Sequence, residues 1–175
     1  MEVRRFAHPS QVPEFVEQSL KVWGHSWKEQ IVGGTSETRR RWEQSLGDLA
    51  ERGILRAYML DCGGQPYAFA VGYQHDGVYH YVEPGYDARF SSFAPGIVLL
   101  MLLMEDLINF NRPRVLDFGA DDLEFKRLFS NESVEDAQVV LFRNTAANCL
   151  RWIMHSVFRR GIRFARQIAG RKTTE

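Results

Sequence analysis

Apolar residues at intervals of three and four open the chain. Val12, Phe15, Val16, Leu20 and Trp23 predict a helix over residues 9–29. Gly33-Gly34 interrupts it. Thr35 or Ser36 then caps a second helix running to about Arg52, with Trp42, Leu46, Leu49 and Ala50 as its apolar face and Gly53 as its stop. Arg39, Arg40 and Arg41 on its first turns read as a solvated face, with a ligand site as the alternative. From here the period changes to strand texture. Ile54–Cys62, Gln65–His75 and Val78–Val82 read as strands, separated by the hairpin turns Gly63-Gly64 and Asp76-Gly77. They form an antiparallel meander in which Tyr79 and Tyr81 share one face and His80 takes the other.

A loop over 83–94 leads to Pro95-Gly96, which opens a strongly apolar helix to about Asn111. A short strand (114–118), a short helix (123–129), a strand (137–143) and a basic amphipathic helix (145–169) follow. Strand, helix, strand in that order implies a right-handed parallel crossover. The fold class is therefore α/β in the α+β sense, a mixed sheet in which an antiparallel meander leads into a crossover. Three segments result: a helical lead-in (1–52), a core (53–143) and a basic C-terminal helix with its tail (144–175), all in one domain.

Composition narrows this little. A chain of 175 residues with 45% hydrophobic and 25% charged residues suits one soluble domain with an ordinary core. The 22 basic and 22 acidic residues cancel and point to no partner by charge alone. Cys62 and Cys149 match no metal or redox spacing and read as reduced, packed thiols. The first thirteen residues hold no apolar run of the signal-peptide kind. The apolar stretch from Ile97 to Met104 falls far short of the ~20 residues of a membrane span and reads as a buried helix. These readings place the protein in the cytoplasm.

Where a meander meets a crossover, neighbouring strands part at their carboxyl ends, and ligands favour such points. The loop here ends on a helix N-terminus, whose open N–H groups and dipole suit phosphate. Arg89 offers a charged fork, and Ser91 and Ser92 offer hydroxyl donors. The same residues also read as a plain capping sequence.

The run Gly85-Tyr-Asp-Ala-Arg-Phe-Ser-Ser-Phe-Ala-Pro-Gly96 resembles the GNAT-type acyltransferase domain of the CelD-like group, associated with cellulose and exopolysaccharide synthesis. So do Met104-Glu-Asp-Leu107, Asp117-Phe-Gly-Ala-Asp121 with Phe125-Lys-Arg127, and the upstream runs Leu55-Arg-Ala-Tyr-Met-Leu60 and Pro66-Tyr-Ala-Phe-Ala70. The resemblance spans about residues 12–143. It implies an acetyl-CoA or other acyl-CoA cofactor and an amine or hydroxyl acceptor on a sugar, polysaccharide precursor or amino compound. Arg89, Ser91, Ser92, Phe93, Ala94 and Gly96 fall on its pyrophosphate loop, without the usual glycines. Members often carry two such domains, so a second GNAT-like domain or a homodimer is an implied partner.

Acyl transfer needs a base, a polarised carbonyl and a proton for the thiolate. Asp117 is a candidate base, or a structural Asp bonding backbone N–H groups. Glu83 and His80 are alternative bases, His80 also lying where an acceptor binds. Tyr86 is a candidate proton donor. Lys126 falls on the family's recurrent lysine. Asp121, Asp122 and Glu124 are placed to orient an acceptor or to form a solvated loop. A Fem-type aminoacyl transferase needs a basic channel for RNA that this charge balance does not supply, so nucleic acid is not expected as a partner. The basic C-terminal helix suits peripheral contact with an anionic inner membrane, a protein partner, or plain docking on the sheet. A non-catalytic module that docks through that helix is the remaining reading.

Overall fold

The computed structural model describes residues 1–26, 35–121, 123–135, 139, 141, 143, 145 and 148–154. They fall into two compact units, Met1–Asn131 and Glu132–Glu175. In the first, β1 (Glu2–Phe6), β2 (Ala57–Cys62), β3 (Gln65–His75), β4 (Val78–Tyr86) and β5 (Val115–Asp117) form one five-stranded sheet in that spatial order. The first four are antiparallel, and β5 joins β4 in parallel. Helices α1 (Val12–Trp23), α2 (Thr35–Glu51), α3 (Pro95–Asn109) and α4 (Glu124–Phe129) complete the unit.

Both hairpin turns are as their residues predict. Gly63, Gly64, Asp76 and Gly77 all have positive φ, the backbone that matches the twist of paired strands. Three boundaries differ from the sequence expectation. The lead-in is not wholly helical, because Glu2–Phe6 adds β1 to the edge of the sheet against β2. The first helix stops at Trp23, while residues 27–34 lie outside the described set. Strand β4 does not end at Val82 but continues through Pro84 and Gly85 to Tyr86.

Two apolar clusters cover the two faces of the sheet. On one, Phe15, Val16, Trp23, Trp42 and Leu46 of α1 and α2 pack on Ala57, Met59, Phe69 and Val71. On the other, Leu99, Leu100, Leu103 and Leu107 of α3 pack on Tyr58, Leu60, Ala68, Ala70, Tyr79 and Tyr81. Helix α3 is buried on that side only, since Met101 and Ile108 are exposed. Arg39, Arg40 and Arg41 are exposed, the solvated face of α2. Cys62 and Cys149 are exposed rather than packed.

A buried arginine joins the second cluster to the end of α3. Arg56 donates to Asp106 Oδ2 (3.1 Å), Gln74 Oε1 (2.5 Å) and the carbonyls of Phe110 (2.6 Å) and Asn111 (3.2 Å), satisfying carbonyls that a helix C-terminus leaves open. Tyr58 donates to the same carboxylate at 2.7 Å, and burial followed by that bond pushes its phenol well up, so it stays a donor. Burial opposes the charge of Asp106. The bonds from Tyr58 and Arg56 and the charge of Arg5 outweigh it and hold the carboxyl below its usual range.

Ser19, fully buried on α1, has no hydrogen-bond partner for its hydroxyl among the described residues. Ser19→Ala removes an unmet buried polar group and improves helix propensity, so a gain of about 1 kcal/mol is expected. Thermal melting reads this as a rise of roughly 3 °C, and a fall would show that the hydroxyl is bonded in solution.

In the second unit, residues 148–154 are helical, with Leu150, Trp152, Ile153 and Met154 exposed. The expected strand over 137–143 lies mostly outside the described residues, and Val139, Leu141 and Arg143 are in no regular element. The rest of the expected helix to residue 169 also lies outside them. No helix among the described residues is long and apolar enough to cross a membrane.

Candidate active site

The site is built on the second half of β4. Parallel pairing with β5 covers Val78↔Val115, Tyr79↔Leu116 and His80↔Asp117, then stops. From Tyr81 to Tyr86, β4 continues with β3 on one side only among the described residues. A bulge falls at this point: Gly72 faces Tyr81 and Val71 faces Glu83, leaving Val82 as the extra residue, 56% exposed. Bulges bend a strand and turn its edge groups outward. Past the bulge, β4 runs on to Tyr86 and leads towards the start of α3.

The bulge also changes which side chains share a face. Tyr79 and Tyr81 point into the α3 side and are buried, Tyr81 meeting Phe118 edge-on at 5.7 Å. His80, opposite Tyr73, and Glu83, opposite Val71, share the α1 side. Tyr86 pairs with Ala68 on the α3 side and lies beside Gly96, where an added Cβ would come within 3.4 Å of its ring.

His80 and Asp117 come together across the last paired position. His80 Nδ1 lies 3.0 Å from Asp117 Oδ2, and its ring stacks on Tyr73 at 4.5 Å and 25°. The other oxygen, Oδ1, accepts the Gly119 N–H at 2.8 Å. Asp117 thus bonds a nearby backbone N–H, as its structural reading anticipates, and also a side chain across the strands.

The loop after β4 is anchored by a residue the sequence reading passes over. Asp87 is almost fully buried and accepts from Arg89 N (3.0 Å) and from the Arg89 guanidinium at 2.6, 3.0 and 3.1 Å. Its N–H donates to Tyr67 O, and Ala88 N–H donates to His25 O, tying the loop to β3 and to the end of α1. An Asp two residues before a bonded backbone N–H is an Asx-turn signal that Asp87-x-Arg89 carries. Phe90 stacks on Tyr67 at 4.1 Å, whereas Ser91, Ser92 and Phe93 are exposed. Ala94 takes a left-handed backbone (φ 47°, ψ 48°) as it enters α3, and the Ile97 and Val98 N–H groups both bond its carbonyl. Gly96, second residue of α3, stands at the helix start.

The remaining candidates lie after β5. Lys126 donates to the carbonyls of Gly119 and Ala120, closing that loop. Asp121 has positive φ and is exposed, Glu124 is exposed at the first position of α4, and Asp122 is outside the described residues. Among the described residues no cluster of His, Cys, Asp and Glu is arranged to hold a metal.

Burial works against the charge of Asp87, but its Arg89 bonds prevail and hold the carboxyl below the usual range. A depressed acid contributes stability in full above its unfolded value, about 3.9, and loses it as pH falls through the lower folded value. Acid unfolding below about pH 4 should therefore start at higher pH in Arg89→Gln than in wild type. Circular dichroism against pH measures this, and coincident curves would contradict it.

Comparison with known proteins agrees with this fold. No curated protein matches the chain by sequence. Solved structures match it by fold. One is a ribosomal-protein-alanine N-acetyltransferase from Brucella melitensis biovar Abortus 2308, 10% identical, covering 81% of this chain and 100% of its own, TM-score 0.55. Another is the aminoglycoside antibiotic 6'-N-acetyltransferase AAC(6')-IG from Acinetobacter haemolyticus, 13% identical, covering 83% and 99%, TM-score 0.53. A third, AAC(6')-Iy in complex with the bisubstrate analogue CoA-S-monomethyl-acetylneamine, is 11% identical and covers 83% and 98%, TM-score 0.53. A family model described as acetyltransferase (GNAT) domain matches residues 1–127, and the chain belongs to that family.

Proposed function

We propose that this domain moves an acyl group from an acyl-CoA to an amine of a small acceptor, with β4 as the wall along which the donor lies. The observation that carries the reading is that pairing of β4 with β5 stops at His80↔Asp117 while β4 runs on to Tyr86 and the start of α3. When bound, the thioester supplies an activated carbonyl. Past its last pairing with β5, β4 offers the backbone of the exposed bulge residue Val82 to an amide-bearing chain. The start of α3 offers the Gly96 N–H and a positive dipole end to phosphates, since Pro95 has no N–H and those of Ile97 and Val98 bond the Ala94 carbonyl. Because Arg89 is paired with Asp87, the backbone there carries more of the phosphate recognition than the Arg89 guanidinium does.

The fold neighbours named for N-acetylation of an alanine terminus and of aminoglycosides support an amine acceptor. A sugar or polysaccharide-precursor acceptor, as in the CelD-like group, is the narrower proposal. Tyr86, beside Gly96, is the candidate proton donor to the thiolate. Asp121, Glu124 and Lys126 line the loop that would meet the acceptor.

Thermal melting with acetyl-CoA tests the reading. A ligand at about 100 times its Kd stabilises by about 2.7 kcal/mol, which raises the melting temperature by roughly 5–11 °C. No rise with acetyl-CoA or longer acyl-CoAs would overturn the proposal. It would favour a non-catalytic module instead, a reading to which the self-paired Arg89 lends support.

A further inference from the structure

We propose that His80 is the base that takes the proton from the acceptor amine, and that Asp117 is the positioning residue that fixes its ring. The inference rests on the acyl-CoA reading and adds the proton path to it.

The geometry defines one tautomer. An ionised carboxylate only accepts hydrogen bonds, so His80 Nδ1, 3.0 Å from Asp117 Oδ2, carries the proton. Nε2 is then left with its lone pair, the form a base requires. Three contacts restrain the pair. The Tyr73 ring lies against the imidazole, Gly119 N–H holds the second oxygen of Asp117, and the ladder between β4 and β5 sets the separation of the two residues. The groups recorded against the ring are the Asp117 carboxylate from β5 and the Tyr73 phenol from β3. Place adds to geometry. His80 is the last paired residue of β4, where the strands part, and it lies on the face away from the buried Tyr79 and Tyr81. The side chain of His80 is one-third exposed, so solvent and an acceptor can reach it.

The step balances without a further reagent. The ammonium of the acceptor gives a proton to His80 Nε2, and the freed amine nitrogen forms a bond to the acyl carbon. The carbon–sulfur bond breaks and its electron pair leaves with CoA thiolate, which takes up the second proton that the nitrogen releases as the amide forms. The imidazolium formed on the way is stabilised by the Asp117 carboxylate.

Three measurements on the full chain test this. The His80 ring nitrogens are followed by 15N NMR at a single pH without ligand, assigned by their loss in His80→Gln. Asp117→Asn should move the neutral ring from the Nδ1–H towards the Nε2–H tautomer, because the carboxylate that accepts from Nδ1 is gone. Thiol release from acetyl-CoA is then measured with a panel of primary amines that includes neamine and an N-terminal alanine peptide. His80→Gln should lower the rate about 100-fold or more, the usual worth of general base catalysis, while keeping the acetyl-CoA melting shift. Asp117→Asn should lower kcat with the KM for acetyl-CoA unchanged. A His80→Gln rate within about threefold of wild type, well under the usual worth of a base, would overturn the assignment, as would an unchanged tautomer in Asp117→Asn. Wild-type protein that acetyl-CoA does not stabilise would instead remove the acyl-CoA reading beneath it.

Discussion

Asp106→Ala is expected to destabilise the domain by about 3–5 kcal/mol, the usual cost of removing one partner from a buried ion pair. The substitution leaves Arg56 charged and 6% exposed, with the Tyr58 hydroxyl deprived of its acceptor. The carbonyls of Phe110 and Asn111 still accept from Arg56, but they are neutral and do not balance its charge. Urea unfolding measures the loss as a lower midpoint with an unchanged slope. A second variant separates charge from packing. Adding Arg56→Met to Asp106→Ala removes the stranded cation and should recover part of the loss. If the double variant is as unstable as the two separate losses added together, charge burial is not the cause.

Gly72→Ala is expected to cost about 2–4 kcal/mol, from overpacking and a displaced buried hydroxyl. Its Cβ would lie 2.1 Å from Tyr79 Oη and 2.9 Å from His80 O, closer than atoms can approach. Tyr79 cannot easily give way, because it is fully buried and donates to Arg56 O at 3.0 Å. The other neighbour is backbone of the strand that carries His80, so repacking would also disturb the proposed base. Tyr79→Leu removes both the phenol oxygen and the ring carbon that lie 2.1 and 2.3 Å from that Cβ, and in combination with Gly72→Ala should cost less than the separate losses summed. Strict additivity in a double-mutant cycle would contradict the clash.

The elements legible in the sequence were those whose signal is local. Helix α3 is apolar over most of its length, β3 is bounded by its two turns, and both hairpins are written in residues that tolerate positive φ. Strand β1 was missed because Arg4 and Arg5 break its apolar pattern. Their partners are Glu14 and Asp61 for Arg4 and Asp106 for Arg5, all distant along the chain except Glu14. The end of β4 was read as loop because Pro84-Gly85 signals a turn. Pro84 lies past the last pairing of β4 with β5, so its missing N–H costs that ladder nothing, and Gly85 leaves room for the Phe69 ring, 2.3 Å from where its Cβ would lie. Arg89 was read as a free fork because the buried position of Asp87, which claims it, depends on packing against β3 and α1.

By itself the sequence determined the order of elements from α1 to α4, the strand–loop–helix–strand unit from Tyr79 to Lys126 and the resemblance to acyltransferases, because period, turn chemistry and motif order are properties of neighbouring residues. Tertiary structure alone decided that β4 outruns β5, that Val82 is a bulge, that Arg89 is paired and that His80 meets Asp117. Each depends on strand register, and register is set by side chains packing across the sheet rather than along the chain. A shift of one residue in β4 would turn His80 into the α3 core and separate it from Asp117.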